Sequence, residues 1–587
     1  MEKYEEFKKV YLKYKFVSVN VDAGKVGSAN YLDVIISNAL ISCKPIIYKA
    51  ISNFRGDKYD YIKSLVQTID DLNREGFGIA GIVSDNLRVQ ISAIRQVISE
   101  RQFTFQISCG NHLLHNAIKD AFNANEDLGK MLKNIEQFTI AMNRKDVLSK
   151  IKLATPNRCL TRWTNIFDIA YHIVTHHENY IKFFADVEFL SMHSLKKLNI
   201  LESIHSVLTY DCFVLTLLLL PLKLLSLKLE SDKTTYGYTY GYEMSACIRV
   251  EQLGLFCEEI EDFSNLISEC IIERLEDKDN GLQGYVAFVL TPKGRKIEIM
   301  THNEPPDVVK LKYLELFPID TDTDEINELI EFCKAQIESP TKFELLFQKI
   351  KSEREKIGRK DPTDTIQKSD NDESDNESDS ESDSESDSES DSESDSESDN
   401  ETDPLENGSE ILLSSDDESE EDEDPNQDEE EDEDPIGRIT DMIVENEADN
   451  EFTDVDNDTY TPLIETNKFS MDDLGEFLLE VCPKLGINGE KATVALTKWL
   501  SDPTELTRNM VANIRLDDIL GTWSFFKKIP DFKDLAEFAL IILTNTASEA
   551  ACERAFWKQR KILTNEKNRT SKQLAFARMV FTTTTDD

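Results

Sequence analysis

"FGIAGIVSDN", Phe77 to Asn86, runs apolar without alternation and stops on Ser84-Asp85-Asn86. An apolar run of this length closed by polar turn residues suits a central strand buried on both faces. A strand of that kind needs partners on either side and helices above and below. The flanking sequence supplies them. "FVSVNVDA" (Phe16–Ala23) alternates and carries Asp22 near its end, and "ANYLDVIISNAL" and "CKPIIYKAI" follow as β-rich runs separated by short polar turns. "YDYIKSLVQTIDDLNREG" has helical spacing and stops at Gly76. After the central run come a helix ("VQISAIRQVISE"), a fifth strand ("FTFQISCG") and a further helix ("NHLLHNAIKDAF"). Three consecutive strands followed by β-α alternation predict a mixed five-stranded sheet flanked by helices, an α/β architecture.

From about Asn123 to Ile357 the pattern is helical almost throughout, with a break expected at "TTYGYTYGY" (Thr234–Tyr242). The most apolar run, "CFVLTLLLLPL" (Cys212–Leu222), is eleven residues long and is closed by Pro221 and Lys223. That is too short to cross a bilayer, so a buried helix is expected and no membrane partner. Ser/Asp/Glu tracts follow, and helical pattern resumes at "SMDDLGEFLLEVCPKL". Tracts of this composition bury no apolar surface and are expected to be disordered. Ser with an acid three residues later recurs within them, which suits acidophilic phosphorylation.

The net charge of −48 resides in these tracts. Residues 361–460 hold 45 acidic side chains against Lys368 and Arg438, while the remaining 487 residues hold 68 acidic and 63 basic ones. The charge therefore does not exclude a nucleic-acid partner for the folded part. Ten cysteines stand singly with no C-x-x-C pair, which excludes a Cys-pair zinc finger and a disulfide framework. The charged N-terminus lacks the apolar core of a secretory signal.

Asp22 and Asp85 each fall at the C-terminal end of a predicted strand. If those strands are neighbours, two carboxylates come together, which is costly unless they are protonated or bridged by a cation. A divalent metal pair that clamps the oxygens of a phosphoryl displacement needs such an arrangement. Strand-end aspartates are also ordinary turn formers. Cys109 and His112 make C-x-x-H at a strand-to-helix junction; two ligands do not complete a zinc site, so packing or orientation is expected and no structural zinc. Arg162-Trp163 precedes a helix, where it could neutralise phosphate and stack on a base, or place Trp163 in a core. Near the C-terminus, Leu535, Phe538, Ala539, Ile542 and Leu543 form an apolar stripe, which Ala536, Leu540 and Ile541 widen. The stripe faces either a partner chain or the chain's own core.

In order along the chain, five motifs resemble the hAT transposases: "VSVNVDAG…YLDVIIS", "GIVSDN", "CGNHLLHN", "LTRWTN" and the C-terminal "ASEAACERAF" (Ala547–Phe556). They cover roughly 1–180 and 520–587. The family's Gly-Trp after the first Asp is replaced by Ala23-Gly24-Lys25, and with a first strand expected within twenty residues of Met1 the family's N-terminal zinc finger is expected to be missing. The resemblance implies an RNase H-like catalytic core interrupted by a large all-α insertion and a long acidic disordered segment. It implies Asp22, Asp85 and Glu553 as catalytic acids holding Mg2+ or Mn2+, with Cys109, His112 and Arg554 orienting them. It also implies DNA as partner through Arg162 and Trp163, a homodimer or higher oligomer through Leu535–Leu543, and a nuclear location.

The expected division is 1–180 for the first part of the core, 181–357 helical insertion, 358–460 acidic segment, 461–525 second part of the insertion, and 526–587 dimerisation region with the last acid. The function expected is that of a DNA transposase, or of a derivative with metal-dependent strand cleavage and transfer. A catalytically inactive domesticated relative that acts by dimerisation and DNA or protein binding is the alternative, and an acidic histone-chaperone-like protein a third.

Overall fold

The computed structural model describes residues 2–156, 163–185, 198–339, 344–345, 347–348, 469–501 and 506–556, apart from 27–28, 42–43, 53, 86, 102, 278–280 and 320–322. The chain divides into one unit of 1–354 with 451–587 and another of 355–450. The second unit, with the acidic tracts, lies outside the described residues.

The N-terminal region is a mixed five-stranded sheet. Its strands are β1 (Phe16–Val26), β2 (Ala29–Ser37), β3 (Ile46–Ser52), β4 (Gly78–Ser84) and β5 (Phe105–Ser108), in the order β3-β2-β1-β4-β5. β1 and β2 pair antiparallel, as do β2 and β3, while β4 lies parallel to both β1 and β5. Helices α1 (Glu2–Tyr14), α2 (Lys58–Arg74), α3 (Arg88–Glu100) and α4 (Gly110–Ala124) punctuate the strands. Asp57 caps α2 by accepting from the Asp60 N–H.

The central run does what its composition demands, with one refinement. The pairing of β1 with β4 steps from Val17–Ile79 to Ser18–Gly81, so Ala80 is an extra residue in β4. The resulting bulge resets the alternation of faces. Ile79 and Ile82 pack with Leu65, Ile69 and Ile94 under α2 and α3, while Ala80 and Val83 join the core formed by the later helices. The sheet is covered on both faces because β4 offers apolar side chains to each.

Beyond Ala124 the described chain is helical. Helix Cys212–Leu229 continues through Pro221, and nearly all of its side chains are buried. The longer helical stretch Ile200–Leu229 is long and apolar enough to cross a membrane, and 83% of its most apolar part is buried inside the chain. The break expected at "TTYGYTYGY" falls at its start: helix Cys212–Leu229 ends before it, Thr234 and Thr235 are non-helical, and helix Tyr236–Phe256 takes up the rest. The glycines serve close packing: a Cβ on Gly237 would lie 2.5 Å from the Leu543 side chain, and one on Gly241 2.5 Å from the Phe317 ring. A spacing of four places both on one helix face. The eight described cysteines are all free, as their scattered spacing predicted.

The same helix buries Glu243, whose Oε2 has no hydrogen-bond partner among the described residues. Burial pushes its carboxyl up to about 8 from 4.5. A raised carboxyl contributes stability that is complete below the unfolded value and is lost as pH rises through the folded one. Between pH 4.5 and about 8, each unit should cost the fold about 1.4 kcal/mol. Glu243→Gln should flatten that slope in urea melts taken from pH 5 to 9. An unchanged slope would mean the carboxyl has a compensating partner.

Candidate active site

β1 and β4 are neighbours and parallel, and their pairing ends with Val21 opposite Ser84, while β1 itself runs on to Val26 against β2. That register brings Asp22 next to Asp85; Asp85 lies just past the end of β4, as expected, whereas Asp22 lies within β1, which continues to Val26, and this corrects its expected strand-end position. Asp85 is anchored by the Leu87 N–H, which donates to its Oδ1 at 3.3 Å. A third carboxylate comes from the far end of the chain. It is Glu549, one turn before Glu553. Ligand oxygens of Asp22, Asp85 and Glu549 all lie within 4.8 Å of one another.

Glu553, which the motif resemblance put in this position, belongs to no such group among the described residues. Its carboxylate is close enough to raise the carboxyls of Asp22 and Glu549. Glu549 stands just before the helix that begins at 550 and Glu553 lies within it, and the earlier acid reaches the aspartates. The signal was present in "ASEAACERAF", which holds both acids at helical spacing; which of them meets the sheet depends on where the helix starts.

Glu549 is 1% exposed. His112 Nδ1 stands 3.0 Å from its Oε1, and its Oε2 has no hydrogen bond among the described residues. Burial pushes the Glu549 carboxyl up to about 7, with Asp85 and Glu553 adding to the shift and His112 opposing it. Asp22 is raised well above the usual carboxylate range by burial and then by Glu549, Asp85 and Glu553. Asp85 is raised by burial, against the pull of His112. Burial disfavours the charged form of His112, but its bonds to Cys109 and Glu549 outweigh that and hold the imidazole protonated. Cys109, His112 and Glu549 thus form a second close group, within 4.8 Å. The C-x-x-H pair therefore reaches the acids through Glu549, which fits the orienting role expected of it.

The other sequence candidates separate. Arg554 donates from Nη1 to the Glu230 carbonyl at 3.1 Å and pairs with Asp232, so it ties the Glu549 helix to the turn between helices Cys212–Leu229 and Tyr236–Phe256. Trp163 is 4% exposed at the start of helix Trp163–Thr175. It is a core side chain, which corrects the expectation that it stacks on a base; Arg162 lies outside the described residues. The apolar stripe is also corrected. Leu535, Phe538, Ala539, Ile541, Ile542 and Leu543 are buried within this chain, and Leu540 is half-buried. Helix Lys533–Ile542 sits between β4, β5 and the inserted helices, where Phe538 meets Phe105 edge to face at 5.8 Å. An all-round apolar helix is most fully desolvated when its own chain surrounds it.

Residues 495–581 match the family model described as the hAT family C-terminal dimerisation region. The chain is hAT transposase-like. No curated protein matches it. The hAT region carries Glu549 and Glu553, so the stretch that names the family also delivers the third acid. Dimerisation belongs to this region. Its described helices are nonetheless committed inward, since the buried indoles of Trp499 and Trp523 donate to the carbonyls of Val289 and Leu290 at 2.8 Å each.

Proposed function

We propose that this hAT-like chain is a divalent-metal-dependent DNA strand-cleaving and strand-transferring protein with Asp22, Asp85 and Glu549 as its metal-holding acids. One observation carries the reading: three carboxylates from distant parts of the chain share a site within 4.8 Å, and one of them is buried with an unpartnered oxygen. Like charges that close persist only if protonated or bridged by a cation. An all-oxygen set suits Mg2+ or Mn2+ rather than a thiolate-loving metal. Such an ion supplies positive charge to the oxygens of a phosphate undergoing in-line displacement. The strand order and directions support the RNase H-like core that the family resemblance implies.

The chain's own groups define the rest. His112 holds the Glu549 carboxylate in place through Oε1, leaving Oε2 for a ligand. Asp22 lies within β1 and Asp85 just past the end of β4, and strands are rigid elements suited to keeping ligand geometry. Glu553 adds negative charge beside Asp22 and so favours a second cation there. Just past Asp85, Leu87, Arg88 and Val89 are exposed, and Leu87 is 54% so. This lip offers Arg88 to backbone phosphate and apolar contact to sugar and base, a combination indifferent to sequence.

Incubating the purified full chain with supercoiled plasmid and Mn2+ should produce nicked circles. EDTA and Asp22→Asn should each abolish them. Folded wild-type chain that never nicks DNA with either metal would overturn the cleavage reading and leave a dimerising hAT-derived binding protein.

A further inference from the structure

The segment that delivers Glu549 is steered by a buried polar contact outside the acid group. Thr546 donates from Oγ1 to Asn20 Oδ1 at 2.8 Å, although 526 positions separate the two residues. Asn20 is itself locked, because its Nδ2 donates to Ser37 Oγ on β2 at 2.7 Å. This second bond fixes which way the amide points, so Oδ1 is turned to receive Thr546. Asn20, Ser37 and Thr546 are 1%, 2% and 5% exposed, and a satisfied network at that depth rigidifies its surroundings.

Position gives the contact its meaning. Asn20 lies two residues before Asp22 on β1, hence on the same face and about 7 Å along it. Thr546 lies three residues before Glu549 on the crossing segment. Val19 and Val21, the intervening neighbours on β1, turn into the apolar core beneath the other face. Main-chain bonds hold the crossing segment at its sides: Tyr236 N–H donates to the Asn545 carbonyl at 2.8 Å, and Gly110 N–H to that of Ala547 at 2.9 Å. Those bonds fix the segment against the helices. Among the described residues, the Thr546–Asn20 side-chain bond is the hydrogen bond that ties it to the strand that bears Asp22.

We propose that Asn20 and Thr546 are positioning residues: their hydrogen bond sets the register of the C-terminal segment on β1 and so places Glu549 opposite Asp22. The inference rests on the metal reading of the acids. A slip of one residue would carry the Glu549 carboxylate about 3 Å along the strand, beyond what a shared ion tolerates.

The test is Mn2+ affinity, read from the EPR signal of the free ion during titration of the full chain, with thermal melting of each variant alongside. Thr546→Val keeps the shape and removes the donor; it should weaken Mn2+ binding roughly 10–100-fold, the range for outer-shell partners of metal ligands. Thr546→Ser restores the donor and should restore the affinity. A purely structural role would instead move melting in both variants and leave the affinity of the folded fraction alone. Should the valine variant fail to fold, Ser37→Ala, which unlocks Asn20 without touching the crossing segment, decides by the same readout. Wild-type affinity in a folded Thr546→Val or Ser37→Ala chain would overturn the inference. Wild-type chain that binds no Mn2+ at all would instead overturn the metal reading beneath it.

Discussion

Glu549→Gln should remove divalent-cation binding and reduce strand cleavage by on the order of 10²–10³-fold or more, the loss typical when one preorganised electrostatic group is deleted. Glu553→Gln should cost less, because Glu553 stands outside the close group that joins both aspartates. The two acids are four residues apart, one just before the helix that begins at 550 and one within it, so the pair of variants separates contact with the aspartates from mere negative charge nearby. Calorimetric titration with Mn2+ gives the comparison directly. If Glu553→Gln lost the ion while Glu549→Gln kept it, the third acid would be Glu553 and the role given to Glu549 would be wrong.

The same site predicts a pH dependence. Glu549 is raised to about 7 from 4.5, so its contribution to stability is fully present below 4.5 and is lost as pH rises through about 7. Without metal, the chain should therefore weaken over that window. Protons compete with the cation for raised carboxyls, so binding must release them, and affinity rises as pH climbs through 7. Mn2+ should accordingly raise the melting temperature far more at pH 8 than at pH 5.5. A shift independent of pH would show that the ion binds elsewhere.

The second large effect concerns helix Lys533–Ile542. Ile541 is 4% exposed in the core shared with Trp523 and Phe538, so Ile541→Asp would bury an unpaired charge at a cost of several kcal/mol. A domain stability of 5–15 kcal/mol leaves little to spare, and the variant should be unfolded or insoluble. Leu540, half-buried at the edge of the same cluster, should accept Asp and keep the fold. Circular dichroism with light scattering distinguishes the outcomes. A folded monomer from Ile541→Asp would show instead that the stripe is the dimer contact.

Local pattern carries most of the sheet region. The five strands and their helices follow from period-2 and period-3.6 apolar patterns, and Asp85 stands where one of those patterns ends, whereas β1 runs past Asp22 to Val26 because β2 pairs with it there. Each pattern is set by a few neighbouring residues. "ASEAACERAF" holds two acids four residues apart. It could not say which acid would meet the sheet, because that depends on where the segment is bolted down, by Thr546 to Asn20 and by Gly110 to Ala547. Trp163 and the Leu535–Leu543 stripe carry the same lesson. An apolar face must be covered, and its residues declare the need, but whether the cover is a partner chain, a base or another part of the same chain is decided by what the fold brings against it. In this chain the inserted helices and the sheet reach that face first, since a contact within one molecule escapes the translational and rotational entropy cost that a second molecule must meet.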